Sequence, residues 1–242
     1  MSKQFLAVIV AVVLVFVAIL TLSQKTTTKS NVSGSLSQHL QGLGQNHITL
    51  VEYGDYECPF CGQYYPIVKQ IQAEYNQQIT FQFRNFPLVT LHQNAFAGAR
   101  AAEAAALQNK FWQMHDLLYE QNEISQSNPS ISTWMSASNP VTNFDQYATQ
   151  LGLNVNKFNQ DYASNQVNGT INADMAAGNK LKVTATPSFF LDGKLINVNE
   201  SVTGFQTIIN AEIAKKTGKA SSTSPTTNTG TTSQTKATSK TQ

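Results

Sequence analysis

The chain has 242 residues, with 16 lysines and arginines against 14 aspartates and glutamates, for a formal net charge of +2. This balance lacks the basic excess typical of nucleic-acid-binding proteins, so we expect no nucleic-acid partner. Only two cysteines are present, which excludes a framework of structural disulfides.

The first predicted element is Phe5–Leu22, an uncharged apolar run of 18 residues. As a helix it would span about 27 Å, close to the ~30 Å hydrocarbon core of a bilayer. Residues 1–23 are therefore either a signal-anchor, which fits the run slightly better, or a cleaved signal peptide. We expect a single-pass membrane protein with an extracytoplasmic domain, or a secreted or periplasmic protein if the segment is cleaved.

Polar segments flank the predicted domain. Residues 24–44 are interpreted as a linker between the membrane and the domain. Residues 219–242 are mostly Ser and Thr with no large apolar side chain, so they cannot bury enough surface to offset their ordering entropy. We predict a disordered tail there and a folded domain over residues 45–218.

Strand, helix and strand open the predicted domain. Ile48–Tyr53 is short, apolar and β-branched, which indicates a buried strand. A helix should begin near Cys58, because Pro59 suits the first helical position. Ile79–Arg84 alternates apolar and polar residues, which predicts a second strand. A parallel crossover between the two strands is the expected geometry.

A helical insertion over about 91–182 follows, and the chain then returns to strands. Helices are predicted at Asn94–Leu107, Phe111–Leu118, Phe144–Leu151, Val155–Tyr162 and Ile171–Lys182. Ser188–Leu191 and Lys194–Ile196 should form a hairpin with a type I′ turn. Thr203 is predicted to cap a last helix that ends at Gly218. The fold class is α/β, in the order βαβ, helical insertion, ββα.

The only two cysteines lie three residues apart in Cys58-Pro59-Phe60-Cys61. A cysteine at a helix N-terminus meets unpaired N–H groups and the positive end of the helix dipole, which lower its pKa below about 8.5. The thiolate is the attacking species in disulfide exchange. We expect Cys58, in the first turn, to be the nucleophile and Cys61 to resolve the mixed disulfide.

Two other uses of this pair are disfavoured. A zinc site needs two more ligands, and the histidines at 39, 47, 92 and 115 are scattered rather than paired, so no metal site is expected. An inert disulfide across so short a loop would remove little chain entropy and stabilise little. Redox chemistry without a bound cofactor is the favoured interpretation, since the cysteines carry the electrons.

Over residues 45–218 the chain resembles DsbA-like thiol:disulfide oxidoreductases of the thioredoxin superfamily. The resemblance rests on the Cys58–Cys61 motif at the start of a helix, on Thr186-Pro187 before a Ser-Phe-Phe-Leu strand, and on the helical insertion. It implies a thioredoxin fold, and a cis-proline at Pro187 that faces the cysteines. Thr186 would then offer backbone groups to an extended substrate peptide. Glu52 matches the buried acid that assists proton transfer at Cys61.

One residue departs from the pattern of strongly oxidising family members. They carry a histidine just before the second cysteine, whereas this chain has Phe60, which offers no charge. Pro59, Phe60 and Glu52 are therefore the expected redox-tuning residues, and the potential should be less oxidising than theirs. Glu57 would raise the pKa of Cys58 if its carboxylate lay close.

The resemblance implies an extracytoplasmic oxidoreductase, here a monomer, that introduces disulfides into reduced exported polypeptides. A membrane redox partner would reoxidise it, and Phe5–Leu22 would hold it at the membrane. The alternatives are a reductase or isomerase of exported proteins that uses the same cysteines, and a non-catalytic, membrane-tethered binding protein.

Overall fold

The structure of the chain is a computed structural model that describes residues 34–218. The predicted membrane or signal segment at 1–23 and the predicted tail at 219–242 lie outside the described residues. Among residues 34–218, no helix is long and apolar enough to cross a bilayer.

The described residues form five strands and seven helices. The strands are β1 (His39–Gln41), β2 (Ile48–Gly54), β3 (Ile79–Asn85), β4 (Ser188–Leu191) and β5 (Lys194–Ile196). The helices are α1 (Pro59–Tyr75), α2 (Ala95–Ala106), α3 (Phe111–Ser127), α4 (Val141–Gln150), α5 (Val155–Tyr162), α6 (Asn165–Lys180) and α7 (Val202–Thr217). The predicted order of strand, helix, strand, helical insertion, hairpin and helix is confirmed.

The strands form one mixed sheet in the order β1-β3-β2-β4-β5. β2 and β3 are parallel, as expected, while β4 runs antiparallel to β2 and to β5. Asp192 and Gly193 have φ values of 47° and 76°, the two positive angles that a type I′ turn requires.

Alternation along β2 divides its side chains between two cores. Ile48 and Leu50 belong to the large core that also contains residues of α1, α3 and α7. Tyr53 packs in a smaller cluster with Phe86 and Phe190, against which Val51 also packs. Because successive strand residues point to opposite faces, Glu52 lies on the same face as Leu50, the face that α1 covers.

The folded unit begins before residue 45, so the predicted linker is wrong over 34–44. β1 pairs antiparallel with β3, with His39 opposite Phe83. A buried ion pair between Arg84 and Asp174 binds the segment just before it: Arg84 donates to the carbonyl oxygen of Ser37, and Asp174 accepts from the Ser37 hydroxyl at 2.7 Å. These partners come from distant parts of the chain, so local composition gave no sign of them.

The start of α7 also differs from the prediction. Ser201, not Thr203, is the N-cap, and its hydroxyl accepts a hydrogen bond from the Gly204 N–H at 3.1 Å. Thr203 lies within the first turn. Gly218 ends the helix in the left-handed conformation, with φ of 67°, as predicted.

Candidate active site

The cysteine motif lies where the parallel strand β2 ends and α1 begins. Cys58 is the N-cap residue of α1, and Pro59 occupies the first turn, where its missing N–H costs nothing. The Cys58 N–H donates to the Asp55 carbonyl oxygen at 3.1 Å. Both cysteines are free thiols: Cys58 is 4% exposed and Cys61 is fully buried. Solvent and substrate therefore meet Cys58 first.

The surroundings of Cys58 favour its thiolate. A hydrogen bond from the Cys61 thiol contributes most, and the Thr186 side chain and the backbone N–H groups of Cys61 and Phe60 add to it. Burial opposes these contacts, yet the pKa of Cys58 still falls to about 6. Cys58 is therefore mostly ionised at neutral pH, as the helix N-terminus predicts.

Cys61 has the opposite character. Burial raises its pKa well above the ordinary value, and the hydrogen bond to Cys58 and the nearby Cys58 and Glu52 charges raise it further. The Asp55 N–H contacts the Cys61 sulfur at 3.5 Å. Two sulfurs with widely separated pKa values divide the chemistry between an ionised nucleophile at the surface of the core and a protonated, fully buried partner.

Glu52, which the resemblance implies is the buried acid of the site, is buried on β2. It is 3% exposed and stands opposite Phe83 on one side and Phe189 on the other. Burial, and then the negative charge of Cys58, raise its pKa to about 8. A carboxyl group that is mostly neutral at pH 7 can give a proton to a neighbouring sulfur and take it back.

Thr186 and Pro187 face the cysteines from the start of β4. Their peptide bond is cis, and the Thr186 carbonyl oxygen lies 3.3 Å from the Cys58 sulfur, where it accepts from the thiol when Cys58 is protonated. Tyr53 of β2 pairs with Ser188 of β4, so the antiparallel pairing of these strands brings the two segments together. The four residues Cys58, Cys61, Thr186 and Pro187 therefore form one site.

Phe60 points outward and is 62% exposed. Its side chain lies outside the core to which Val68 and Ile71 of α1 belong. The Glu57 carboxylate accepts a hydrogen bond from the Asn94 N–H at 2.6 Å, at the start of α2. The effect of Glu57 on the pKa of Cys58 stays a prediction.

Three further residues hold the motif in place, and the sequence did not single them out for this role. Asn122 of α3 is buried and donates to the carbonyl oxygens of Tyr56 and Cys58, at 2.8 and 3.0 Å. The buried carboxylate of Asp55 accepts from His92. Asp55 and His92 are 37 residues apart and Asn122 belongs to no motif, so no local pattern in the sequence marks these three residues.

Within the part of the chain that the structure describes, no group of three His, Cys, Asp or Glu side chains could hold a metal ion. The two cysteines have no third ligand beside them. Their nearest titratable neighbours act on the sulfurs through charge and hydrogen bonds instead.

Comparisons with known proteins agree with this geometry. The family model described as Thioredoxin matches residues 35–211. A thioredoxin-like oxidoreductase from Silicibacter pomeroyi DSS-3 superposes with a TM-score of 0.57 at 25% identity, over 75% of this chain and 92% of that one. BdbD from Bacillus subtilis, in its oxidised form, gives 0.61 at 21% identity, over 75% and 97%.

A curated relative carries a different name. An Na(+)/H(+) antiporter NhaA 1 from Mycolicibacterium gilvum is 33% identical over 159 residues, or 64% of this chain. This chain spans only 23% of that protein's length. So small a share does not carry the antiporter's transport activity over to this chain.

Proposed function

Since the chain belongs to the thioredoxin family, we propose that it is an extracytoplasmic thiol:disulfide oxidoreductase that introduces disulfides into exported proteins. One observation carries the proposal: the pKa of Cys58 is lowered to about 6 while that of Cys61 is raised well above its ordinary value. A pair of cysteines with a purely structural role would not need pKa values that differ so widely.

The reaction begins with the Cys58–Cys61 disulfide. A substrate thiolate attacks the Cys58 sulfur, the bond to Cys61 breaks, and Cys61 leaves as a thiolate. Because Cys61 has a raised pKa, it is a poor leaving group unless it gains a proton, and the neutral carboxyl of Glu52 can supply one. The product of this step is a mixed disulfide between the substrate and Cys58.

The second substrate thiolate then attacks the substrate's own sulfur in the mixed disulfide. The bond to Cys58 breaks, and Cys58 leaves readily because its thiolate is stable. The substrate has lost two electrons and two protons. The protein holds the electrons as two reduced sulfurs, with one proton on Cys61 and the other released to solvent.

Thr186 is the proposed substrate-binding residue. Its carbonyl oxygen lies 3.3 Å from the Cys58 sulfur, at the start of β4. A substrate peptide in an extended conformation could pair with the backbone here as an added strand, which would set its cysteine over Cys58. Pro187 would limit how the backbone presents these groups, since it has no N–H to offer.

The extracytoplasmic location and the partners rest on sequence alone. Phe5–Leu22 supports export and attachment to the membrane. A continuous oxidase needs an acceptor for the two electrons that each cycle leaves on the cysteines, and a membrane redox protein fits that requirement. We propose that the folded domain acts as a monomer.

Oxidative refolding tests the proposal. Catalytic amounts of the protein should speed the refolding of reduced, unfolded ribonuclease A in a glutathione buffer, and Cys58→Ala should abolish the effect. Wild-type protein alkylated at its cysteines is the matched control, because the chain offers no other cysteine to exchange. Equal refolding rates with and without the wild-type protein would contradict an oxidase.

The reduction potential decides the direction of electron flow. A value above about −180 mV supports the oxidase, while one near −270 mV, the value of thioredoxin, supports the reductase alternative. The exposed Phe60, in the position where strong oxidants carry histidine, is the one observation that favours the reductase.

A further inference from the structure

The carboxylate of Asp55 is the centre of a hydrogen-bonded loop next to the cysteines. The side chain is fully buried. One oxygen accepts from the Glu57 N–H at 2.8 Å, and the other accepts from the Leu88 N–H at 2.9 Å and lies 2.7 Å from Nδ1 of His92. A buried carboxylate with this many partners is held in one orientation, and so is the histidine that it binds.

The backbone of Asp55 contacts both cysteines. Its carbonyl oxygen accepts from the Cys58 N–H at 3.1 Å, and its own N–H lies 3.5 Å from the Cys61 sulfur. A single residue therefore connects the redox pair with a histidine that follows β3. Neither the cysteine motif nor the chemistry proposed above uses that histidine.

His92 has a defined position of its own. The backbone N–H of His92 donates to the Leu88 carbonyl oxygen at 2.9 Å, and the side chain of His92 is 17% exposed. Asp55 contacts the ring, and the negative charges of Asp55, Cys58 and Glu57 act on it. All three are negative and no cation is among them, so this environment favours the protonated ring.

We propose that His92, held by Asp55, is a redox-tuning residue whose protonated ring stabilises the Cys58 thiolate. The inference rests on the proposed thiol–disulfide exchange at Cys58. It assigns to a separate loop the positive charge that the motif lacks, since Phe60 occupies the place between the cysteines where a histidine would supply it.

The shift in the pKa of His92 has the direction that the proposal requires. The hydrogen bond to Asp55 contributes most to raising the pKa of His92, burial opposes it, and the charges of Asp55, Cys58 and Glu57 add to it. The ring is therefore protonated up to a higher pH than an ordinary histidine. Its help to the thiolate is complete at low pH and is lost as the pH rises through the pKa of His92.

The first test is the ultraviolet absorbance of the thiolate at about 240 nm, followed from pH 4 to 8 in the reduced protein. Only Cys58 ionises in this range, because the pKa of Cys61 is far higher. His92→Asn keeps an amide that can donate to Asp55 but cannot carry a charge. We expect the midpoint of Cys58 to rise by about half a unit or more. His47→Asn, at the opposite end of β2, should leave it unchanged.

The second test compares the reduced and oxidised forms of the wild-type protein. Coupling is reciprocal, so the pKa of His92 should fall by a similar amount when oxidation removes the Cys58 charge. NMR titration of the four histidines in the reduced and oxidised wild-type protein measures this, with the His92 resonance assigned from His92→Asn. Equal pKa values for His92 in both states, or an unchanged Cys58 midpoint in His92→Asn, would overturn the inference.

Failure of the inference is distinguishable from failure of the proposed function. If the wild-type protein catalyses refolding while His92 and Cys58 titrate independently, only the inference is wrong. If the two titrations are coupled but refolding is not catalysed, the inference about the thiolate stands and the proposed oxidase does not.

Discussion

At the scale of single residues, the site is defined by the different ionisation states of two sulfurs and one carboxyl group. Cys58 is stabilised as a thiolate, while Cys61 and Glu52 are kept protonated by burial. The two cysteines form a local motif that the sequence shows directly, and the resemblance to DsbA-like oxidoreductases points to Glu52. The sequence could not give the ionisation states of these groups, which depend on side chains such as Thr186 that reach the site only on folding.

A substitution at Phe60 tests directly whether the residue before Cys61 controls the pKa of Cys58 and the reduction potential. Phe60→His would place a cation beside the Cys58 thiolate at an exposed position that can accept it. The pKa of Cys58 should fall by about half a unit, and the reduction potential at pH 7 should become about 15 mV more oxidising.

The measurement is the equilibrium of the protein with glutathione, and Phe60→Asn is the control that removes the aromatic ring without adding charge. A potential that shifts equally in both variants would show that loss of the ring, not charge, controls the equilibrium.

Glu52 should make stability depend on pH. Its pKa in the folded protein is raised to about 8, so between about pH 4.5 and 8 the folded state holds a proton that the unfolded state has released. The contribution of Glu52 to the free energy of unfolding therefore falls as the pH rises through this window. Glu52→Gln should remove this pH dependence. The free energy of unfolding of the variant, relative to that of the wild type, should therefore increase by about 2–4 kcal/mol between pH 5 and pH 8.

Urea unfolding at several pH values measures the effect, with the exposed Glu120→Gln as control. The refolding activity of Glu52→Gln should decrease at the same time, because Cys61 loses its proton donor. Parallel stability curves for the variant and the wild type would contradict a buried, protonated Glu52.

At the scale of elements, α3 fixes the loop that carries the motif. The Asn122 amide donates to two carbonyl oxygens that precede or begin α1, those of Tyr56 and Cys58. Asn122→Ala leaves both oxygens buried without this donor, at a cost of about 1–3 kcal/mol. Denaturant unfolding of the reduced protein checks this, with Asn172→Ala on the exposed face of α6 as control. Equal losses in the two variants would rule out a role for Asn122 in holding the loop.

The element types followed from the sequence more readily than their partners did. The alternation of Ile79, Phe81 and Phe83 predicts β3, and the Asp192-Gly193 turn predicts the last hairpin. By contrast, β1 has three residues with little apolar character, and its pairing with β3 depends on side chains far along the chain. Thr203 offers the same capping chemistry two residues after Ser201, so the sequence does not distinguish these two candidates for the N-cap of α7.

At the scale of the whole molecule, one buried ion pair joins the N-terminal segment, the sheet and the helical insertion. Asp174 of α6 contacts Arg84 of β3 at 3.0 Å and also binds Ser37 and Asn85. Asp174→Ala would leave the Arg84 charge buried and unpaired, so we expect a loss of about 3–5 kcal/mol in the free energy of unfolding.

Asp161→Ala is the matched control, because its partner Lys157 is half exposed and such pairs contribute about 0.5 kcal/mol or less. Should Asp174→Ala not fold, Asp174→Asn retains the shape of the side chain and should show a smaller loss in the same direction. Unfolding free energies of Asp174→Asn and Asp161→Ala that match the wild type would contradict this role for the ion pair.

The central claim is that Cys58 is the sulfur that exchanges disulfides, and a trapping measurement tests it most directly. Cys61→Ala and Cys58→Ala are each incubated with glutathione disulfide at pH 7, and mass spectrometry follows the mixed disulfide over time. We predict rapid formation of the adduct on Cys58 in Cys61→Ala and almost none on the buried Cys61 in Cys58→Ala. Equal rates for the two variants, or faster modification of Cys61, would contradict the account.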